Sequence, residues 1–177
     1  LDEGSHVASD EEAATSRYLA ALDQTRSGVL CHLAQPDEDD GVMSFTVTVD
    51  MCQSRREWDE QLYLWMVELA NTTGRATPVG VAMTGLWAHR HWEDFEQLVA
   101  WQQAGLLDIT WVNHSYRHQL SRDSDGTYHF LTDLEVDLEK EVLDLEVLLL
   151  EQGVLSSPLF RFPGLTHDTR TLGIIAD

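Results

Sequence analysis

A chain of 177 residues fits one domain and is long enough to bury a sizeable core. Its 31 acidic residues against 11 basic ones give a net charge of −20, which argues against nucleic acid or an anionic membrane as partner, since either would repel such a surface. No run approaches the roughly 18 uninterrupted apolar residues of a spanning helix, and no signal peptide is visible.

Residues 1–41 read as an N-terminal extension, with Leu1 to Ser9 a polar, disordered lead-in and 10–27 a modest amphipathic helix. After Pro36 and the acid run Asp37-Glu38-Asp39-Asp40, the stretch 42–50 is rich in β-branched residues. Its apolar positions at 43, 45, 47 and 49 predict a strand ending at Asp50. Ser54-Arg55-Arg56-Glu57 has the form of a capping box, and Trp58, Leu62, Trp65, Met66 and Leu69 mark one face of the helix it would open. Thr77 to Thr84 is a second strand. A helix follows from about His91 to Ala104, carrying Trp92, Phe95, Leu98 and Val99 on one side and ended by Gly105.

Asp108 to Asn113 is the third strand. Thr132-Asp133-Leu134-Glu135 is a second capping box, opening the longest helix, with Leu134, Leu138, Val142, Leu145, Leu148 and Leu149 as its buried stripe and Gly153 as its stop. Pro158 to Phe162 is a short strand. Strands alternating with helices imply a mainly parallel sheet. Asp50, His114 and Arg161 each fall where a strand ends, and the carboxyl ends of parallel strands are where such folds hold ligands.

His114-Ser115-Tyr116-Arg117-His118 places two imidazoles four residues apart. If the backbone turns helical there, both rings stack on one face and reach a single ion. Cys31 and Cys52 are compatible with a disulfide or with reduced thiols, and Cys52 also with a buried apolar role or metal ligation. Asn71 and Asn113 sit in Asn-x-Ser/Thr sequons. His89, His91 and His167 read as solvated rings, with His167 near enough to the Arg161 segment to line a cleft. Trp87 and Trp92 are candidates for a sugar-stacking platform, or for core.

Three collinear blocks, Thr48-Val49-Asp50, His114-Ser115-xx-His118 and Arg161-Phe162-Pro163-Gly164, resemble the NodB-homology polysaccharide deacetylases (carbohydrate esterase family 4). The resemblance covers residues 42–177. It implies an α/β fold, a distorted (β/α) barrel of NodB-homology type. It also implies a divalent metal, taken here as zinc, and removal of N- or O-acetyl groups from polysaccharides. By the same resemblance His114 and His118 are metal ligands, Asp50 is the catalytic base, and Arg161 holds that base by a charge-assisted hydrogen bond. Family habit points to the periplasm or cell surface.

Two positions depart from the family. Its second aspartate, normally the third metal ligand, falls on Met51, whose thioether suits a hard or borderline ion poorly. In the alternative Asp-x-Asp register the ligand position is Cys52, whose thiolate suits zinc. The chain also stops at Asp177, before the Leu-x-His motif that supplies the family's acid, so the C-terminal part of the barrel is expected to be missing from this sequence. Two rival functions follow: a catalytically lapsed glycan-binding module of the same fold, and a hydrolase of another non-peptide C–N bond such as a cyclic ureide.

Overall fold

The structure, a computed structural model, describes residues 46–122, 124–126 and 128–176. The expected N-terminal helix, Cys31 and the first part of the first strand lie outside these residues. In chain order the elements are β1 (Thr48–Met51), α1 (Glu60–Thr73), β2 (Thr77–Met83), α2 (Gly85–Arg90), α3 (Trp92–Gln103), β3 (Leu107–Asn113), a hairpin of β4 (Ser121–Arg122) and β5 (Tyr128–His129), α4 (Leu138–Glu151), a 3-10 turn (Pro163–Leu165) and α5 (Thr169–Ala176). This is a mixed α/β arrangement on a three-stranded parallel sheet in the order β1-β2-β3. The described residues form no closed barrel.

β2 is the central strand, and its last five residues are all buried, which explains why it reads as a short continuous apolar run. Successive side chains along a strand point to opposite faces, so the sheet sorts its residues by parity. Val79, Val81 and Met83 of β2, Leu107, Ile109 and Trp111 of β3 and Met51 of β1 enter one core with Tyr63 and Met66 of α1, Phe95 and Leu98 of α3 and Leu145 and Leu149 of α4. The other face carries smaller side chains and is polar only in part: Thr48 and Asp50 of β1, Gly80 and Ala82 of β2, and Thr110 and the buried Val112 of β3. A Cβ on Gly80 would stand 3.1 Å from the Thr48 methyl, so β1 and β2 fit closely on that face.

The helix expected over His91–Ala104 is α3, but the starts of α1 and α4 differ from expectation. Ser54 accepts from Arg56 N–H (3.0 Å) and Asp133 from Glu135 N–H (3.0 Å), so the two supposed capping boxes are local side-chain turns. α1 begins at Glu60, after Asp59. α4 begins at Leu138, where Asp137 accepts from Lys140 N–H. The α1 stripe is rotated accordingly. Tyr63, Met66 and Ala70 are buried, whereas Trp65 is 61% exposed and Leu69 is also exposed, because this helix carries more apolar residues than one stripe holds. Leu134 precedes α4 and is 82% exposed. The predicted strand at 158–162 reduces to one parallel bridge, Asn113 to Phe160. Trp87 is buried and Trp92 packs against the same core, so Trp87 offers no sugar platform. Asn113 is buried too, which removes it as a glycan acceptor.

Met51 is 5% exposed within the apolar core, on the sheet face opposite Asp50. Met51→Asp therefore buries a carboxylate among hydrocarbon and restores no ligand. Denaturant unfolding is expected to show a loss of about 3 kcal/mol or more, with no gain in zinc affinity. Met51→Leu is expected to cost less than about 1.5 kcal/mol. A stable Met51→Asp protein that binds zinc more tightly would contradict this placement.

Candidate metal centre

The register that aligns the strands also aligns their ends. Met51 pairs with Met83 and Met83 with Asn113, so Cys52, Thr84 and His114 each follow by one residue along the same edge. The Asn113–Phe160 bridge brings Arg161 beside His114 in the same row. Four segments far apart in sequence thus deliver side chains to one rim.

Cys52 Sγ lies 3.7 Å from His114 Nε2 and 3.6 Å from His118 Nε2, and all three donor atoms fall within 4.8 Å of one another. A tetrahedral zinc about 2.3 Å from sulfur and about 2.0–2.1 Å from nitrogen sets those two atoms about 3.6 Å apart. The imidazole orientation fits as well. His114 Nδ1 donates to the Arg161 carbonyl at 2.7 Å, which fixes the tautomer and leaves Nε2 with a lone pair facing the sulfur. His118 Nε2 faces the same sulfur, so one cation placed among the three atoms would meet all three donors. Cys52, His114 and His118 can therefore hold a metal ion, with at least one position left for another ligand.

The His114–His118 segment is not helical. Ser115 (φ 66°) and His118 (φ 49°) occupy the left-handed region, each at a cost of roughly 1–2 kcal/mol. A mesh of hydrogen bonds holds them there. Asn113 Oδ1 accepts from Ser115 N–H (2.9 Å), Ser115 Oγ accepts from His118 N–H (3.0 Å), and Gln53 Nε2 donates to the His118 carbonyl (3.2 Å). The first turn of α2 donates Gly85 N–H and Leu86 N–H to the carbonyls of Ser115 and Tyr116. The Tyr116 ring covers Gly85 so closely that a Cβ there would stand 2.2 Å from it. Phe130 meets the His118 ring edge-on at 5.5 Å.

Arg161 and Asp50 form an ion pair, so the expected partners are brought together on the rim beside the three donors. Asp50 is not one of the converging donors, but it is close enough to act electrostatically on each of them. Three further described histidines are engaged elsewhere. His89 pairs with the Tyr116 hydroxyl at 2.6 Å, His91 bonds the Ser54 carbonyl and Asp94, and His167 packs on Phe162.

One residue escaped sequence reasoning: Glu141 of α4, buried at 5% exposure, whose carboxylate accepts Arg117 N–H at 2.7 Å. The signal was present, since 138, 141, 145, 148 and 149 form the helix's buried stripe and an acid stands in it.

Burial pushes the His114 and His118 pKa values below the ordinary imidazole range, against opposing contributions from hydrogen bonding and Asp50. Burial, then the Asp50 charge, pushes the Cys52 thiol up. Near neutrality both rings are thus free of the competing proton while the thiol retains its own, and a cation must displace that proton to bind. Zinc binding at pH 7 is expected to release about one proton, with apparent affinity rising about tenfold per pH unit. Titration calorimetry in buffers of different ionisation enthalpy measures the release. Cys52→Ala should abolish it, and release that persists unchanged in that variant would remove Cys52 from the ligand set. No protein-family model matches the chain, and no solved structure matches it.

Proposed function

We propose that this chain is a metal-dependent hydrolase that removes acetyl groups from an N- or O-acetylated polysaccharide, with zinc held by Cys52, His114 and His118. The observation that carries the reading is the convergence of those three donors with the Asp50–Arg161 pair at the carboxyl ends of parallel strands. A divalent cation bound there would supply the electrophile that polarises an acyl oxygen and acidifies water. The protein's own groups do the rest. Asp50, half-exposed on the rim, is the base that takes the proton of the attacking water. Arg161 aims that carboxylate with its guanidinium, while its backbone carbonyl aims His114. A single residue therefore sets the relation between base and metal ligand. Charge also bears on the substrate: a surface at −20 favours a neutral acetylated sugar over an anionic ligand.

The two halves of the site separate by mutation. His114→Ala and His118→Ala should lose bound zinc and acetate release together. Asp50→Asn should keep zinc within about threefold and lose hydrolysis by about 10²–10⁴-fold, the usual worth of a positioned base. Arg161→Ala should behave like Asp50→Asn, because the carbonyl that orients His114 survives the substitution. Zinc content by elemental analysis and acetate release from acetylated glycans are the readouts. Zinc binding with no hydrolysis of any acetylated glycan would favour a glycan-binding module. Turnover of cyclic amides alone would favour hydrolysis of another C–N bond.

A further inference from the structure

Glu141 is a buried acid that the chemistry above leaves unused. Its side chain is 6% exposed, in the first turn of α4, and both of its carboxylate oxygens face the metal loop. Oε2 accepts Arg117 N–H at 2.7 Å, and Oε1 lies 3.9 Å from Arg117 Nε. The backbone carbonyl of Glu141 accepts Tyr116 N–H at 2.9 Å, and that of the next residue, Val142, accepts from Asn113 Nδ2 at 3.1 Å. The turn between the two imidazoles is thus fastened to α4 at two successive residues, Tyr116 and Arg117, and the strand end just before it at Asn113. It ends at His118, in a left-handed conformation that the chain does not adopt unaided.

We infer that Glu141 is a positioning residue for metal binding, fixing the backbone between His114 and His118 so that His118 Nε2 meets the other two donors. This rests on the metal-centre reading above. The Arg117 N–H held by Glu141 belongs to the peptide joining Arg117 to Tyr116, one residue before His118. Releasing it frees the His118 backbone from its left-handed turn on one side, and the Ser115 and Gln53 contacts remain as the restraint on the other. A neutral or apolar residue would meet the packing needs of α4 as well, so burial of an acid here is explained by the loop and not by the core.

The test is zinc affinity of the full chain, measured by competition with a chromophoric chelator, together with the visible spectrum of the cobalt(II) form. Glu141→Ala is expected to weaken zinc binding by about 10–100-fold. Glu141→Gln, which keeps a carbonyl oxygen for Arg117 N–H, should stay within about threefold of wild type. The cobalt spectrum should retain its thiolate charge-transfer band while its ligand-field bands change as His118 withdraws. If Glu141→Ala does not fold, Glu141→Met, which fills a similar volume without an acceptor for Arg117 N–H, decides, and a loss of less than about threefold overturns the inference. It is equally overturned if Glu141→Ala melts earlier yet binds zinc and cobalt as wild type does, because Glu141 then serves α4 only. Failure of the wild-type chain to bind either metal overturns the metal centre itself, and this inference with it.

Discussion

The alignment of Met51, Met83 and Asn113 across three parallel strands is the constraint on which the site depends. Parallel pairing fixes which residues sit abreast, and the alternation of side chains fixes which face each one meets. A slip of one residue in β1 would send Cys52 toward the hydrophobic layer and Met51 to the rim. The apolar cost of that exchange protects the register. Val47, Val49 and Met51 pack with the helices, and their burial holds Asp50 and Cys52 on the opposite face. The core thus specifies the site through parity, without touching the donors.

Beyond the strands the order comes from polar contacts. Two non-glycine residues in left-handed conformations lie within one five-residue loop, and nearly every backbone group of that loop has a named partner. Strain of this kind persists only where surrounding bonds over-determine it, and such places are commonly where ligands bind. Arg161 joins the two sides of the rim, its guanidinium on Asp50 and its carbonyl on His114. The backbone contact survives any substitution at 161, whereas the ion pair does not. Orientation of the imidazole is therefore more secure than orientation of the carboxylate.

The strands and their ends were legible because period-two alternation and a buried apolar run are strong local signals. Thr77–Met83 and Leu107–Asn113 match expectation within a residue, and Gly153, in the left-handed region at φ 73°, stops α4 as a glycine should. Cys52 was legible only as one of two registers, and alternation decides between them. The start of α3 was legible within a residue, whereas those of α1 and α4 were not. Ser/Thr-x-x-Glu is satisfied equally by a capping box or by a side-chain turn, and tertiary packing chooses. The hairpin Ser121–Arg122 with Tyr128–His129 escaped notice although Asp125-Gly126 marks its turn, because two-residue strands carry no periodicity. The conformation of the histidine loop was illegible for a different reason: H-x-x-x-H spacing suggests a helix, and only contacts from α2 and α4 impose the left-handed turns.

The central claim is that one sulfur and two imidazole nitrogens converge on a single ion. X-ray absorption at the zinc edge of the loaded protein tests it most directly. The account predicts one sulfur scatterer near 2.3 Å, roughly, and two imidazole nitrogens at about 2.0–2.1 Å, with light-atom ligation completing the shell. A shell of nitrogen and oxygen alone, with no sulfur, would contradict it.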